Sequence, residues 1–358
     1  MIATSTSILT EEWAIRDDVI RLREWGTNRT YPLYSDHADP VIGTAPGCQI
    51  RVPDRTRRVS RQHAQFQLVD RRWVVLDRSK NGLYRNGAKL DKFVLTPGVE
   101  LGLGSGGVTL VAESARLIAL RSTLARMLGW SASAAEAVDL ALRAIRFAAQ
   151  RRTPLVLCGA DLVPLAEELH RLTLTATRPF VLCNSHRSTT ETTWNPTRCA
   201  ATGTAALAEA VGGTVCLMTR YLPSDLRSLM QAFRRPECQT QIVVCSERVV
   251  EAEVFNAAPI VVPPLASRKD ELDRLIEEYA RDAAGPLELG PHWLSTPERT
   301  WIKANMHTLA LIQKATIRLA AIRQAGSMSR GAKRLGISHV GMLKWLRTHK
   351  FPLGLTDP

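Results

Sequence analysis

Between residues 41 and 112 the chain alternates short apolar runs with turn residues. The runs FQLV, WVVLD, KFVL, VELGLG and VTLV hold four to six residues each, and Asn-Gly, Pro-Gly and Gly-Gly pairs separate them. Asn81-Gly82 and Asn86-Gly87 can supply the positive φ angles that tight turns require. This pattern predicts an all-β, antiparallel sandwich.

From residue 115 to residue 285, helical patterns alternate with short apolar strands. Helical periodicity occupies LRSTLARMLGWSASAAEAVDLALRAIRFAAQ and PLAEELHRLTL. Buried strands are indicated by TPLVLCG, RPFVLCN, GGTVCLM, QIVVCSE and APIVVPP. Strands separated by helices predict an α/β sheet.

The last segment has an all-α pattern. Apolar positions recur at intervals of three and four from Thr300 onwards, which predicts a helix that Gly326 ends as its C-cap. Two short amphipathic helices follow and meet at Gly336, with Ser338 as the N-cap of the second. The pattern predicts a helix-turn-helix, whose packing faces hold Ala332, Leu335, Ile337, Leu343 and Leu346.

Length and charge sharpen this picture. A chain of 358 residues predicts two or three domains. The formal net charge is +13, and residues 296–358 hold eleven Lys and Arg against two acids. Clustered basic charge is typical of a protein that binds a polyanion, although a solvated surface kept for solubility has the same composition.

The remaining composition argues against several classes of protein. No apolar run approaches the roughly 18 residues of a membrane span, and acids near the N-terminus are unlike a secretory signal. We therefore expect a cytoplasmic protein without membrane contact. The seven cysteines include no C-x-x-C pair, so we expect reduced thiols and no metal site or cofactor.

The β-rich segment resembles the forkhead-associated (FHA) domain. The matching features are Gly43 after an apolar pair, VSRQHAQF with Ser60 and His63 in S-x-x-H spacing, Trp73, Asp77, SKNG ending at Asn81-Gly82, and Asn86-Gly87. The resemblance implies a domain that binds phosphothreonine peptides through its loops. Ser60 would then bond the phosphate, Asn81 would hold the peptide backbone and His63 would brace the loop. Gly43 and Gly82 would have structural roles.

One position departs from the FHA pattern. The family usually has Gly-Arg where this chain has Gly43-Thr44, so the arginine that clamps the phosphate is missing. Arg57, Arg58, Arg61 or Lys80 could replace its charge. Two interpretations stay open: phosphothreonine binding, or a degenerate sandwich that docks a protein. For the first, the candidate binding residues are Ser60, Arg61, Lys80, Asn81 and Arg58.

The middle segment resembles the AAA+ domain of bacterial enhancer-binding proteins, the activators of sigma-54 polymerase, in the order and spacing of its strands and helices. A phosphate-binding loop needs G-x-x-x-x-G-K-[ST], but the loop of residues 159–166 has one glycine and no lysine. Met218-Thr219 stands where the family has an acidic pair for magnesium. The Gly-Ala-Phe-Thr-Gly-Ala loop is missing between Cys183 and Gly212, and VFNAAP lacks the arginines of a subunit-bridging ATP site.

These departures predict a degenerate core that does not hydrolyse ATP, has no catalytic residues and is not an enzyme. A surviving ATPase activator is the competing possibility. His170 and His186 are then ordinary helix and loop residues. Such a core could still form a homo-oligomer and so set the spacing of attached domains.

The C-terminal helices resemble the factor-for-inversion (Fis)-type helix-turn-helix that ends enhancer-binding proteins. The pattern A-x-x-L-G-I-S fits Ala332 to Ser338. The resemblance implies that the second helix enters the major groove of DNA while Trp345 packs on the preceding helix. A basic hairpin that binds protein is the alternative. The candidate DNA-binding residues are Arg330, Lys333, Arg334, Ser338, His339, Val340, Lys344, Arg347 and Lys350.

Together these features predict four segments: an N-terminal extension (1–30), the FHA domain (31–113), the degenerate AAA+ core (114–285), and a helical lid remnant with the helix-turn-helix (286–358). The expected function is sequence-specific transcription regulation that responds to a threonine-phosphorylated partner, such as a Ser/Thr kinase or its substrate. Double-stranded DNA is the second expected partner, and RNA polymerase is a further candidate. A phospho-dependent adaptor that binds DNA only non-specifically is the alternative.

Overall fold

A computed structural model describes residues 18–34, 39–151, 153–174, 177–184 and 198–352. The chain divides into two compact units: Met1–Ala125 with Trp130–Arg146, and Arg126–Gly129 with Phe147–Pro358. His186 and most of the segment in which the Gly-Ala-Phe-Thr-Gly-Ala loop is missing lie outside the described residues.

The first unit is a β-sandwich. The strands are β1 (Arg21–Glu24), β2 (Thr30–Pro32), β3 (Val41–Gly43), β4 (Ile50–Arg51), β5 (Ala64–Val69), β6 (Arg72–Asp77), β7 (Leu83–Arg85), β8 (Ala88–Lys89), β9 (Lys92–Val94), β10 (Glu100–Leu103) and β11 (Val108–Glu113). One sheet has the order β2-β1-β11-β10-β7-β8, and the other has the order β4-β3-β5-β6-β9.

Alternating side chains build the core of this sandwich. Phe66 on β5 lies opposite Val75 on β6, and both are fully buried. Phe66 also meets Trp73 edge to face, with ring centroids 6.4 Å apart. The predicted β-sandwich is therefore confirmed. Its pairs are antiparallel except β3 with β4, which run parallel.

The sandwich begins earlier than the sequence indicated. Strand β1, which we placed in an N-terminal extension, pairs antiparallel with β11 and buries Leu22. The buried Arg23 bonds Glu113 at 2.7 Å and Asp139 at 2.9 Å. This ion network allows the polar segment RLRE to be an interior strand, because buried charges are tolerated when they are paired.

Two helices follow the sandwich, α1 (Ala115–Leu128) and α2 (Ala132–Arg151). The strands of the second unit are β12 (Leu155–Cys158), β13 (Phe180–Cys183), β14 (Arg198–Ala200), β15 (Thr214–Met218), β16 (Gln241–Ser246) and β17 (Ile260–Val261). They form a parallel sheet of order β14-β13-β15-β16-β12-β17, which confirms an α/β segment. Its helices are α3 (Val163–Thr173), α4 (Gly203–Glu209), α5 (Leu226–Phe233), α6 (Val249–Ala252) and α7 (Leu272–Leu287).

The C-terminal residues belong to the same compact unit as this sheet. They form α8 (Thr296–Asn305), α9 (Leu309–Ala325), α10 (Met328–Arg334) and α11 (His339–Thr348). The single helix predicted from Thr300 to Gly326 is wrong, because the Thr308 side chain caps a new helix by accepting from Leu311 N at 3.2 Å. Gly326 ends α9 in the left-handed conformation, as predicted, with φ of 67°.

Within the described ranges, no helix combines the length and apolar character needed to cross a membrane.

Candidate functional site

The motif residues of the sandwich lie close together where the β3–β4, β4–β5 and β6–β7 loops contact one another. Ser60 lies in the β4–β5 loop, and its hydroxyl oxygen accepts the backbone N–H of Lys80 from the β6–β7 loop at 3.1 Å. The side-chain amide of Asn81 donates to the carbonyl of Arg58 at 2.8 Å. The contact to Lys80 uses a lone pair, so the Ser60 hydroxyl keeps its proton to donate to a ligand.

His63 joins these loops from inside. Its Nδ1 accepts the backbone N–H of Ser60 at 2.9 Å, and its Nε2 lies 3.1 Å from the carbonyl of Gly82. A backbone N–H only donates and a carbonyl only accepts, so His63 is neutral with its proton on Nε2. Burial lowers the pKa of His63, while the bond to Gly82 acts in the opposite direction.

Gly43 allows β3 to approach the Ser60 loop. A Cβ at this position would lie 2.3 Å from the carbonyl oxygen of Arg61. The next residue, Thr44, contacts the same loop, since its backbone N–H donates to the carbonyl of Ser60 at 3.2 Å. Gly82 has a φ of 86°, a left-handed conformation that suits glycine. Both glycines therefore occupy positions where a side chain would be strained.

The loops that form the site carry basic residues, although Thr44 stands where an arginine was expected. Arg57, Arg58, Arg61 and Lys80 are all exposed. The backbone of Lys80 contacts Ser60, so a lysine with an exposed side chain adjoins the candidate phosphate position.

Two residues outside the motifs, Asp54 and Gly104, also shape these loops, as does Ser79, the first residue of the SKNG motif, for which no role was predicted. Asp54 accepts the backbone N–H groups of Thr56 and Val59, both at 2.7 Å. Ser79 Oγ accepts Gly82 N at 2.7 Å. At Gly104 a Cβ would lie 2.6 Å from the carbonyl oxygen of Arg58. The spacing Asp54-x-Thr56 is the sequence signal of an Asx turn, whereas the contact at Gly104 has no local signal.

At the carboxyl edge of the parallel sheet, the loop after β12 lies against neighbouring backbone. Gly159 N donates to the carbonyl of Ser246 at 2.8 Å. Asp161 accepts the Thr308 hydroxyl at 3.1 Å and has a φ of 52°. Thr219, which follows β15, donates to a carboxylate oxygen of Glu251 at 2.6 Å.

His170 packs inside the same unit. Its Nδ1 lies 2.9 Å from the Thr214 hydroxyl and its Nε2 lies 3.0 Å from the carbonyl of Arg178. Burial lowers its pKa, and the bond to Arg178 opposes that shift. These contacts account for both ring nitrogens through structural hydrogen bonds.

The two last helices present basic residues to solvent. Gly336 has a φ of 65° between α10 and α11, and Ser338 Oγ caps α11 by accepting Gly341 N at 3.0 Å. All nine candidate DNA-binding residues are exposed: Arg330, Lys333, Arg334, Ser338, His339, Val340, Lys344, Arg347 and Lys350.

The opposite side of α11 is packed. Trp345 meets Trp301 of α8 edge to face at 6.1 Å, and the Arg318 guanidinium of α9 lies 4.2 Å from its ring centroid. Trp345 therefore packs against earlier helices. At Gly331 on α10 a Cβ would lie 2.9 Å from the backbone of Ile322, so this glycine allows the close contact with α9. The predicted packing residues Ala332, Leu335 and Leu346 are buried, while Ile337 and Leu343 are half-buried.

Residues 41–104 match the FHA domain family, so this part of the sandwich is an FHA domain. The sandwich is similar to a solved FHA domain from a study of phosphothreonine-dependent interactions, with 26% identity over 26% of this chain and 93% of that chain and a TM-score of 0.23. The FhaA FHA domain, solved with an intracellular domain of another protein, is 28% identical over 25% and 96% of the two chains, with a TM-score of 0.23. The N-terminal FHA domain of S. cerevisiae Rad53p, solved with a phosphothreonine peptide, is 24% identical over 26% and 91%, with a TM-score of 0.24. No curated protein matches the chain.

Proposed function

We propose that this chain is a DNA-binding transcription regulator that responds to a threonine-phosphorylated protein and does not hydrolyse ATP. The observation that carries the proposal is the Ser60–Lys80–Asn81 cluster within an FHA domain. FHA domains bind phosphothreonine partners, which supports a phospho-dependent interaction for this chain.

In the phosphothreonine site, the Ser60 hydroxyl donates to the phosphate and Asn81 holds the peptide backbone. Lys80, Arg58 and Arg61 supply the charge that Thr44 lacks. Their exposure supports this assignment, since a phosphate reaches them without displacing packed side chains.

In the DNA site, α11 enters the major groove with its first turn. Ser338, His339 and Val340 meet base edges, while the basic side chains contact phosphates and fix the orientation. The support is exposure on one side of α11 and packing of Trp345 on the other.

The absence of ATP hydrolysis is proposed from the chemistry of the loop after β12. Its Gly159 N–H is engaged by the Ser246 carbonyl, and the loop of residues 159–166 carries an acid, Asp161, and no lysine for a triphosphate.

The peptide arm of the test is titration of the full chain with a phosphothreonine peptide library. Ser60→Ala should weaken binding by about 10- to 100-fold, because a hydrogen bond to a charged group contributes about 1.5–3 kcal/mol. Ser228→Ala, an exposed serine on α5, is the control and should bind like the wild type. Equal binding of phosphorylated and unphosphorylated peptides would refute the phosphothreonine site.

The DNA arm compares the chain's own upstream region with a scrambled duplex at two salt concentrations. A preference of about a thousandfold is the low end for specific binding. Lys344→Ala with Arg347→Ala should weaken binding to both duplexes, because these side chains contact phosphates. Arg227→Ala with Arg234→Ala removes two exposed charges elsewhere and is the matched control. Equal affinities that fall together with salt would favour the non-specific adaptor.

A further inference from the structure

One arginine of α9 has no acid beside it although it is half-buried. Among the residues that the structure describes, no ion pair joins Arg318 to a carboxylate, and its Nη1 atom is buried without a hydrogen-bond partner. Burial lowers the pKa of Arg318 to about 10, so the guanidinium is still a cation at neutral pH. Because buried charges are usually paired, this one points to a partner outside the folded chain.

Arg318 contacts the helix that we propose to enter the DNA groove. Its guanidinium carbon lies 4.2 Å from the centroid of the Trp345 ring on α11, and Trp345 is half-buried. Gly341 and Thr348, about one turn before and one turn after Trp345, share its side of α11 and are exposed. Arg318 therefore lies at the flank of α11, where the packed side of this helix meets its exposed side.

Stacking on Trp345 uses only the face of the guanidinium. The stack is favourable for a cation, but the N–H donors lie in the plane of the group and point away from the ring. Of the three nitrogens of Arg318, only Nη1 is buried without a partner, so the edge formed by Nε and Nη2 is open to a ligand. The second arginine of α9, Arg323, instead pairs with the buried Glu298 at 2.9 Å.

We infer that Arg318 binds a backbone phosphate of DNA at the border of the groove that α11 enters. This inference rests on the proposed DNA binding. The open edge of the guanidinium suits a phosphate, because it forms two parallel hydrogen bonds with such a group. Phosphate contacts fix the position of a recognition helix and carry no sequence information. Arg318 thus adds affinity for any duplex, from a helix that precedes the helix-turn-helix.

The test titrates the full chain with its own upstream region and with a scrambled duplex over a range of salt concentrations. Arg318→Met keeps an unbranched side chain against Trp345 and removes the charge. Binding to both duplexes should weaken about tenfold, as loss of one charge-assisted contact implies. The plot of log affinity against log salt should become less steep by about 0.9, because one phosphate fewer is neutralised. The melting temperature should stay the same or rise, since an unpaired buried cation is removed.

Two further variants separate a phosphate ligand from a structural arginine. Arg318→Lys keeps the charge and loses the paired hydrogen bonds, so it should bind more weakly than the wild type with an unchanged salt slope. Arg323→Met is the matched control on the same helix, because it removes the partner of the buried Glu298. It should lower the melting temperature and leave the salt slope unchanged.

Wild-type affinity and salt slope in Arg318→Met would overturn the inference, leave the proposed DNA binding in place and limit Arg318 to packing on Trp345. A weaker affinity with an unchanged slope and a lower melting temperature would also overturn it, because Arg318 would then act through the fold. If the wild-type protein binds neither duplex, the proposed DNA binding itself fails, and the inference fails with it.

Discussion

Replacing His63 with leucine tests how the loops of the FHA domain are held together. His63→Leu keeps the apolar volume and removes both hydrogen bonds, to Ser60 N at 2.9 Å and to the Gly82 carbonyl at 3.1 Å. Each buried group left unsatisfied costs about 1–3 kcal/mol. Ser60 is half-buried, so its freed N–H is hydrated more easily than the freed carbonyl of Gly82. We therefore take the lower part of that range for each group and expect the free energy of unfolding to fall by about 2–4 kcal/mol in total.

Hydrogen exchange measured by mass spectrometry assigns this loss to the sandwich. In the limit where opening is in rapid equilibrium, the expected loss raises exchange of the slowest sandwich amides by about 30- to 1000-fold. His170→Leu is the matched control, because it removes two similar bonds in the other unit. It should accelerate exchange around α3 and leave the sandwich unchanged.

The pH dependence has a defined sign. Because burial lowers the pKa of His63 in the folded state below its ordinary value of 6.5, the unfolded chain binds more protons as the pH falls. The stabilisation by neutral His63 is therefore complete above pH 6.5 and is lost progressively as the pH falls towards the folded-state pKa. The sandwich of the His63→Leu variant should lack this pH-dependent part of the stability. A variant whose exchange rises less than about threefold, or whose acid sensitivity equals that of the wild type, would refute the bridging role.

Two further substitutions test packing. Gly43→Ala should lower the free energy of unfolding by about 1–3 kcal/mol, because the added Cβ would lie 2.3 Å from the Arg61 carbonyl oxygen. Urea denaturation measures this loss, and an unchanged denaturation midpoint would contradict the close approach. Arg126→Met should destabilise the second unit by about 2–3 kcal/mol, because it removes the buried cation that lies 3.7 Å and 3.3 Å from the largely buried carboxylates of Glu168 and Glu278. Arg220→Met breaks an exposed pair, so its effect on the melting temperature should be small by comparison, and equal shifts would contradict the prediction for Arg126.

Local patterns were sufficient to predict most elements of the fold. The alternation in FQLV and WVVLD gave β5 and β6, and the apolar runs LVLC and FVLC gave β12 and β13. Strand β1 was missed because two of its four residues are arginines, and the partners that neutralise Arg23, Glu113 and Asp139, are distant in sequence. The helix break at Thr308 was missed because apolar periodicity continues on both sides of it.

The candidate site was predictable where the sequence has fixed spacing. Ser60, His63 and Asn81 come together through hydrogen bonds that their motifs implied. Gly104 could not be found in this way, because its role depends on the approach of a distant turn to Arg58. A glycine needed for tertiary contact looks like any turn glycine in one sequence.

The contacts around Ser60 suggest why the site can lack an arginine at position 44. The electrostatic attraction between a phosphate and a cation depends on the distance between them, whichever sequence position supplies the cation. The β6–β7 loop contacts Ser60 through the backbone N–H of Lys80, so the fold places residue 80 next to the site. The neighbouring loop contributes Arg58 and Arg61 from the same end of the sandwich. Under the proposed function, loss of charge at position 44 is compensated at position 80, so Lys80→Ala should harm phosphopeptide binding more than Thr44→Ala.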